Sequence, residues 1–217
     1  MRSSAGKPDA AASNLTIQQC APSRRYEGLP TGRLMCEAAF VSDDEVAHIA
    51  RLLTERNAVD DAIAGIIHRP MTAGHLGEWI ASQVFDIQLE PSAVAPAIDG
   101  RFRTGPLQGQ TVNVKWYLKQ EGLLDISESA ELDYYLVLTG PRSAAISSRG
   151  ASRSWRIDHV YLFHAPRLLA EQRARGVKTG IAASVRNTQW DATEIYPHHR
   201  NSQLHLSDRQ TSLLGLF

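Results

Sequence analysis

The hydrophobic period of this chain changes between residues 85 and 97, and that change limits the folds open to it. Before residue 85, apolar side chains recur at the three- and four-residue spacing of helices. From residue 97 onward they alternate with period two or form short apolar runs, which is typical of strands. Helices first, then a β-meander, then a strand and a helix predict an α+β or α/β fold.

Three helices are predicted before the first strand. The first begins at the N-cap candidate Ser42, with Glu45 at the capping-box position. The second covers residues 60–67 and ends before Pro70, and the third begins after Thr72. The apolar side chains at helical spacing in the first and third helices are Val46, Ile49, Leu52, Leu53, Leu76, Ile80, Val84 and Phe85.

Strands are predicted over residues 97–103, 111–118, 133–139, 155–163 and 182–185. The first two alternate and are joined by turn residues between Gly105 and Gly109. The compact apolar run at 133–139 predicts a buried central strand. Pro166 begins a helix that runs to Arg175, and Gly176 ends it.

The domain organisation follows from these patterns. Residues 1–34 are rich in Ser, Ala, Gly, Pro and Arg and are predicted to be a disordered tail, so that Met35 is a candidate start of the folded part. Residues 35–196 are predicted to be one α/β domain, with a helical lead-in at 42–69 and a core at 70–185. Residues 197–217 lack a clear period and are predicted to be a C-terminal tail.

Charge and cysteine content exclude several classes of protein. The chain has 23 basic residues (Lys and Arg) and 23 acidic residues (Asp and Glu), so its formal net charge is zero. This balance argues against a strongly basic nucleic-acid binder. No apolar run approaches the length of a membrane span, so no membrane partner is expected. Cys20 and Cys36 form no CxxC motif, and a reduced, cytoplasmic protein is the expectation.

The distribution of charge is uneven. Residues 41–99 carry 3 basic and 10 acidic side chains. Residues 100–120 carry 4 basic and no acidic side chains, and residues 141–180 carry 8 basic and 2 acidic ones. One interpretation is ordinary solvated faces. The other is a basic wall around an acidic site, which suits a phosphate backbone and a metal ion.

A hairpin of residues 97–103 and 111–118 sorts its side chains by chemistry. If the turn centres near Leu107, paired residue numbers sum to 214, and the apolar residues share one face. The other face then places Asp99 opposite Lys115, with Asn113 as a diagonal neighbour of Asp99. One interpretation is a solvent-exposed ion pair, worth only about 0–1 kcal/mol.

The alternative is a magnesium site, because Mg²⁺ prefers hard oxygen ligands. Asp99 supplies a carboxylate, Asn113 an amide oxygen, and Lys115 an ammonium group that orients water or stabilises charge developing on phosphate. Glu78, on the helix before these strands, completes the site or binds a second ion. Gly77 beside it permits close backbone approach.

This pattern resembles the PD-(D/E)xK nuclease superfamily. The helix HLGEWIASQVF, then AIDG, then Asn113-Val114-Lys115 match its motif order over roughly residues 70–165. The resemblance implies a restriction-endonuclease-like core of helix, β-meander, helix and strand, and Mg²⁺-dependent, or Mn²⁺-dependent, hydrolysis of DNA. Asp99 matches the first acid, Lys115 the lysine and Glu78 the helical glutamate. Asn113 departs from the motif, because that position normally holds Asp or Glu.

The resemblance also bears on partners. Arg101, Arg103 and Lys119 are candidate contacts to the DNA backbone, together with basic residues of 141–180. A homodimer is compatible with this class of nuclease. The loss of negative charge at Asn113 leaves a second hypothesis open, in which the same fold is catalytically inactive and binds nucleic acid or a protein partner.

Overall fold

The computed structural model describes residues 43–91, 97–142 and 153–217. The expectations for the tail at 1–34, for Met35 as a start and for the Ser42 cap lie outside these ranges. The helices are α1 (Asp43–Ile67), α2 (Ala73–Phe85), α3 (Ala165–Ala174), α4 (Asn187–Thr193) and α5 (Asp208–Leu214). The strands are β1 (Ile87–Leu89), β2 (Gly100–Phe102), β3 (Thr111–Tyr117), β4 (Leu123–Leu124), β5 (Tyr134–Thr139), β6 (His159–His164), β7 (Ala183–Ser184) and β8 (Glu194–Tyr196).

The first two predicted helices are one helix in the structure. Helix α1 runs without interruption for 25 residues and ends three residues before Pro70. The expectation of separate helices was wrong, because the residues between them include no glycine or proline that would stop the helix. Among the described helices, none combines the length and apolar character needed to cross a membrane.

Helix α2 confirms the sequence prediction. The Thr72 hydroxyl caps it by accepting the backbone N–H of His75 at 3.1 Å. Ile80, Val84 and Phe85 are buried in the core. Gly77 faces β3, where an added Cβ would lie 2.9 Å from the Cβ of Trp116. This glycine therefore lets α2 approach β3 more closely than any other residue would.

The main sheet has six strands in the order β1-β2-β3-β5-β6-β8. All neighbouring pairs are antiparallel except β3 and β5, which are parallel over six residue pairs. Strand β5 is the predicted central strand, and all its residues are buried. Strands β4 and β7 form a separate two-stranded sheet. The described chain is thus a mixed α/β fold with a mostly antiparallel sheet.

Each face of the main sheet has its own core. Helix α2 and Leu214 of α5 pack on one face, against Val112, Val114 and Trp116 of β3. Helices α3 and α4 cover the other face, where Trp190 is fully buried. Because side chains alternate along a strand, Asn113, Lys115 and Tyr117 point away from the α2 side of β3.

The register of β2 and β3 differs from the expected one by two residues. Gly100 pairs with Val112 and Arg101 with Thr111, so partner numbers sum to 212 instead of 214. The turn therefore centres on Pro106, and Leu107 is buried in the core instead of occupying the tip. A shift of two residues preserves the alternation, so the polar set stays on its own face of β3.

Two further elements depart from the sequence expectations. Residues 197–217 belong to the folded domain rather than to a tail, because α5 is capped by Ser207 and Leu214 is fully buried. Their lack of a clear period hid a helix of only seven residues. Residues 118–133, which connect β3 to β5, contain β4 and no helix, and the next helix, α3, follows β6.

The packing at Gly77 can be tested by substitution. Gly77→Ala is expected to lower the free energy of unfolding by about 1–3 kcal/mol, because overpacking against Trp116 outweighs the gain in helix propensity. Gly74→Ala is the matched control in the same helix, since its Cβ would meet only the Thr72 hydroxyl, at 3.9 Å. Urea unfolding of both variants measures the difference, and equal stabilities would contradict the close contact.

Candidate functional site

Asp99 immediately precedes β2 and lies beside β3. Its backbone N–H donates to the carbonyl of Val112 at 2.9 Å. Its carboxylate Oδ2 accepts the backbone N–H of Val114 at 2.7 Å. The Asp99 side chain thus accepts a backbone N–H of β3 that the backbone of a neighbouring strand would otherwise accept. Val114 lies between Asn113 and Lys115 in the chain, and the positive charge of Lys115 acts on the Asp99 carboxylate.

Asn113 has a buried amide oxygen that no hydrogen bond satisfies. The residue is 3% exposed, and its Oδ1 has no partner among the described residues. An unsatisfied buried acceptor costs about 1–3 kcal/mol. Six other buried side-chain atoms of the described residues share this state, but Asn113 is the one that precedes Val114, whose backbone N–H donates to the Asp99 carboxylate. The oxygen is therefore available to a cation or a water molecule.

Glu78 reaches the site from α2, which Gly77 holds against β3. Its side chain is 17% exposed and forms an ion pair with Arg69, in the loop between α1 and α2. The negative charge of Glu78 raises the pKa of Asp99, so the two carboxylates lie within electrostatic range of each other. The site therefore collects acidic groups from both a helix and a strand end.

The pKa of Asp99 is above its ordinary value, chiefly because burial disfavours the charged carboxylate. The hydrogen bond from Val114 and the positive charges of Lys115 and Arg69 lower this pKa, but they do not cancel the burial. The raised pKa means that the ionised carboxylate lacks compensation in the folded protein. A bound cation would supply that compensation.

Asp99 is hydrogen-bonded to the backbone of β3 at Val114, between Asn113 and Lys115, whose side chains point away from α2. Glu78 comes from α2, which packs on the other face of β3, and its charge acts on Asp99. The shift in register places the Asp99 carboxylate on Val114 instead of opposite Lys115. Arg69 belongs to the same charge network, and sequence reasoning missed it. Nothing in the sequence connects Arg69 with Glu78, because the turn between α1 and α2 decides their contact.

Candidate contacts to nucleic acid are paired in the structure. Arg103 Nε donates to the Asp86 carboxylate at 2.8 Å. Arg101 Nε lies 3.9 Å from a Glu90 carboxylate oxygen, and Lys119 Nζ lies 3.0 Å from one of Glu121.

These ion pairs partly neutralise the three cations, although the arginine side chains remain exposed at 53% and 61%. A role for Arg101, Arg103 and Lys119 in binding DNA stays a prediction.

The donor set for a metal ion is small. No group of three or more His, Cys, Asp and Glu side chains that could hold a metal occurs within residues 43–91, 97–142 and 153–217. The site offers two carboxylates and one amide oxygen, all hard oxygen donors. That chemistry fits Mg²⁺ or Mn²⁺ with several retained water molecules.

No protein-family model matches the chain, and no curated protein is significantly similar to it.

The burial of Asp99 predicts a pH-dependent stability. Because the pKa of Asp99 is raised in the folded state, its stabilising effect is present below the unfolded value of 3.8 and is lost as pH rises through the folded pKa. Asp99→Asn is therefore expected to stabilise the metal-free protein at neutral pH, while its amide oxygen can still accept the N–H of Val114. Urea unfolding in EDTA between about pH 3 and about pH 8 should show this advantage grow and then level off.

Asp86→Asn is the control with the opposite sign. Hydrogen bonds from Arg103 and Thr104 lower the pKa of Asp86, so its stabilising effect is present at neutral pH and is lost as pH falls. An Asp99→Asn variant whose stability follows that of the wild type at every pH would contradict the uncompensated carboxylate.

Proposed function

We propose that the chain is a metal-dependent endodeoxyribonuclease that uses Mg²⁺, or Mn²⁺, to hydrolyse phosphodiester bonds in DNA. The observation that carries the proposal is the unpartnered, buried amide oxygen of Asn113, one residue before the β3 position to which the Asp99 carboxylate is hydrogen-bonded. A buried amide oxygen without a partner and a partly buried carboxylate are each costly in the protein alone, and both are ligands that a hard divalent cation accepts.

The arrangement of elements supports the same class. Helix α2 precedes an antiparallel meander of β1, β2 and β3, and β5 lies parallel to β3. Asp99 immediately precedes β2, and Asn113 and Lys115 belong to β3. This order is the one that the resemblance to PD-(D/E)xK nucleases implies. The connection from β3 to β5 departs from a restriction-endonuclease-like core, because it has no helix.

Each residue has a defined task in the proposed reaction. Glu78, Asp99 and Asn113 hold the cation, which when bound acts as a Lewis acid towards phosphate and water. Lys115 is half-buried, and its positive charge acts on the Asp99 carboxylate. Its ammonium group donates hydrogen bonds to the attacking water or to a phosphate oxygen and stabilises the negative charge that develops there. The oxygen of water bonds to phosphorus as the phosphodiester P–O bond breaks.

Arg69 competes with the cation for Glu78. The guanidinium group neutralises Glu78 in the structure described here, so metal binding to Glu78 requires this ion pair to loosen. Together with the neutral Asn113, this competition predicts a metal affinity lower than that of a site with three carboxylates.

Removal of the Lys115 amine is expected to abolish cleavage. Lys115→Ala should lower the cleavage rate at least about 100-fold, the usual effect of losing one group that stabilises transition-state charge. The assay follows plasmid and single-stranded DNA in Mg²⁺ and in Mn²⁺, with an EDTA blank. Arg56→Ala, at an exposed position on α1, is the control and should cleave as the wild type does. Equal cleavage by Lys115→Ala would refute the assignment.

Restoring the missing carboxylate is expected to strengthen the site. Asn113→Asp should bind Mg²⁺ at least about 10-fold more tightly, because a third negative charge faces the cation, and should keep or raise cleavage. Without metal the variant should be less stable than the wild type, since it buries an unpaired charge. Calorimetric titration with Mg²⁺ measures the affinity, with the exposed Asn57→Asp as control. An unchanged affinity would show that Asn113 is not a ligand.

A second candidate function is a catalytically inactive module that binds DNA or a protein partner. The neutral Asn113 and the pairing of Glu78 with Arg69 favour it, because both weaken metal binding. The cleavage assay separates the two candidates. DNA binding that persists in EDTA, together with no cleavage in either metal, supports the inactive module.

A further inference from the structure

A cavity of about 770 Å³ lies between β6, α3, α4 and the segment at 200–203. This volume is within the range of small-molecule sites, roughly 300–1,000 Å³. None of Glu78, Asp99, Asn113 and Lys115 lines it. The cavity is therefore separate from the candidate metal site and needs its own explanation.

The charges that line the cavity are mainly positive. Its wall includes Arg167, Arg175, Arg186 and Arg200 but a single carboxylate, Glu171. Two of these arginines are already neutralised. Arg167 Nε donates to Glu171 at 2.8 Å, and Arg200 lies 3.3 Å from Glu194 and 3.5 Å from Asp191.

Arg175 and Arg186 are not bonded to a carboxylate in this way, although the charge of Arg175 acts on Glu171. Arg175 Nη1 donates only to the neutral amide oxygens of Gln172, at 3.2 Å, and Gln189, at 2.9 Å. Among the described residues, no carboxylate lies within ion-pair distance of either guanidinium group. Two fixed positive charges at one cavity are an attractive site for an anion with two negative charges.

Gln189 organises this part of the cavity. Its Oε1 accepts Arg175 Nη1 and, at 3.0 Å, the backbone N–H of Arg186, while its Nε2 donates to Glu171 at 2.7 Å. Gln172 is fully buried and donates to the carbonyl of Ser184 at 3.1 Å, which holds the partner of Arg175 in place. Hydrogen bonds to two glutamines thus orient the guanidinium group of Arg175 in the protein without a ligand.

The remainder of the wall is suited to an uncharged body. Thr188 and Ser202 offer exposed hydroxyl groups, and the buried residues Leu162, Phe163 and Leu168 lie beneath this part of the wall. Glu171 would repel an anion, but its carboxylate is already bonded to Arg167 and Gln189. The cavity therefore combines a cationic end with a mixed apolar and hydrogen-bonding surface.

We propose that this cavity binds a phosphomonoester with a ring-sized body, such as a nucleoside 5′-monophosphate, and that Arg175 and Arg186 bind its phosphate. A phosphomonoester carries nearly two negative charges at neutral pH, which matches two guanidinium groups that form no direct ion pair within the described chain. The same group occurs on a free nucleotide and on the 5′-phosphorylated end of a DNA strand. The site does not depend on metal binding at Asp99.

The experiment is calorimetric titration of the full chain in EDTA, which keeps the candidate metal site out of the measurement. Deoxyadenosine 5′-monophosphate is the first probe and deoxyadenosine the second, with inorganic phosphate as a third. The nucleotide is expected to bind one to one and at least about 10-fold more tightly than the nucleoside, because the latter lacks the charge-assisted hydrogen bonds. Short single-stranded oligonucleotides with and without a 5′-phosphate then distinguish a strand end from a free nucleotide.

Variants connect the binding to the cavity. Arg175→Gln and Arg186→Gln should each weaken binding of deoxyadenosine 5′-monophosphate at least about 10-fold. Arg56→Gln on α1 is the control and should bind as the wild type does. Arg186 is exposed, so its substitution does not threaten folding. Arg175→Lys keeps the positive charge at the half-buried position, and thermal unfolding checks that this variant is folded. Failure of the nucleotide to bind, equal affinity for nucleoside and nucleotide, or binding unaffected by both glutamine variants would overturn the proposal.

Discussion

The contact between Gly77 and Trp116 determines where the first helix of the core lies relative to the sheet. A side chain at residue 77 would place a Cβ 2.9 Å from the Cβ of Trp116, so only glycine allows this separation. The next residue along the helix is Glu78, whose charge acts on Asp99. The same close contact therefore builds the core on one face of the sheet and positions the helix that carries Glu78.

The candidate metal site is costly for the protein without a ligand. The Asp99 carboxylate is partly buried with a raised pKa, and the amide oxygen of Asn113 has no partner among the described residues. Polar groups left in this state lower stability, and proteins retain them mainly where they serve a function. Arg69 reduces the cost by pairing with Glu78, which also makes it a competitor for any cation.

The cavity beside α3 also contains a charged group without an ion-pair partner, but there the charge is positive. Arg175 is held by neutral glutamine oxygens, and its positive charge has no carboxylate partner within the described chain. The two sites use different elements. The candidate metal site uses residues of α2 and β3, whereas the cavity lies between β6, α3 and α4. If both proposals hold, the fold presents a cation site and a phosphate site on a single domain.

Local patterns predicted the elements that depend on near neighbours in the chain. The Thr72 cap, the apolar positions of α2, the central strand β5 and the helix that begins near Pro166 were all predictable, because each is encoded within one turn or one strand. The alternation along β3 also indicated which side chains share a face.

Long-range packing decided the rest. The register of β2 and β3 depends on burial of Leu107, the pairing of Arg69 with Glu78 depends on the turn between two helices, and α5 is held in the domain by burial of Leu214. None of these leaves a periodic signal in the sequence, because their partners are brought together only by the folded sheet.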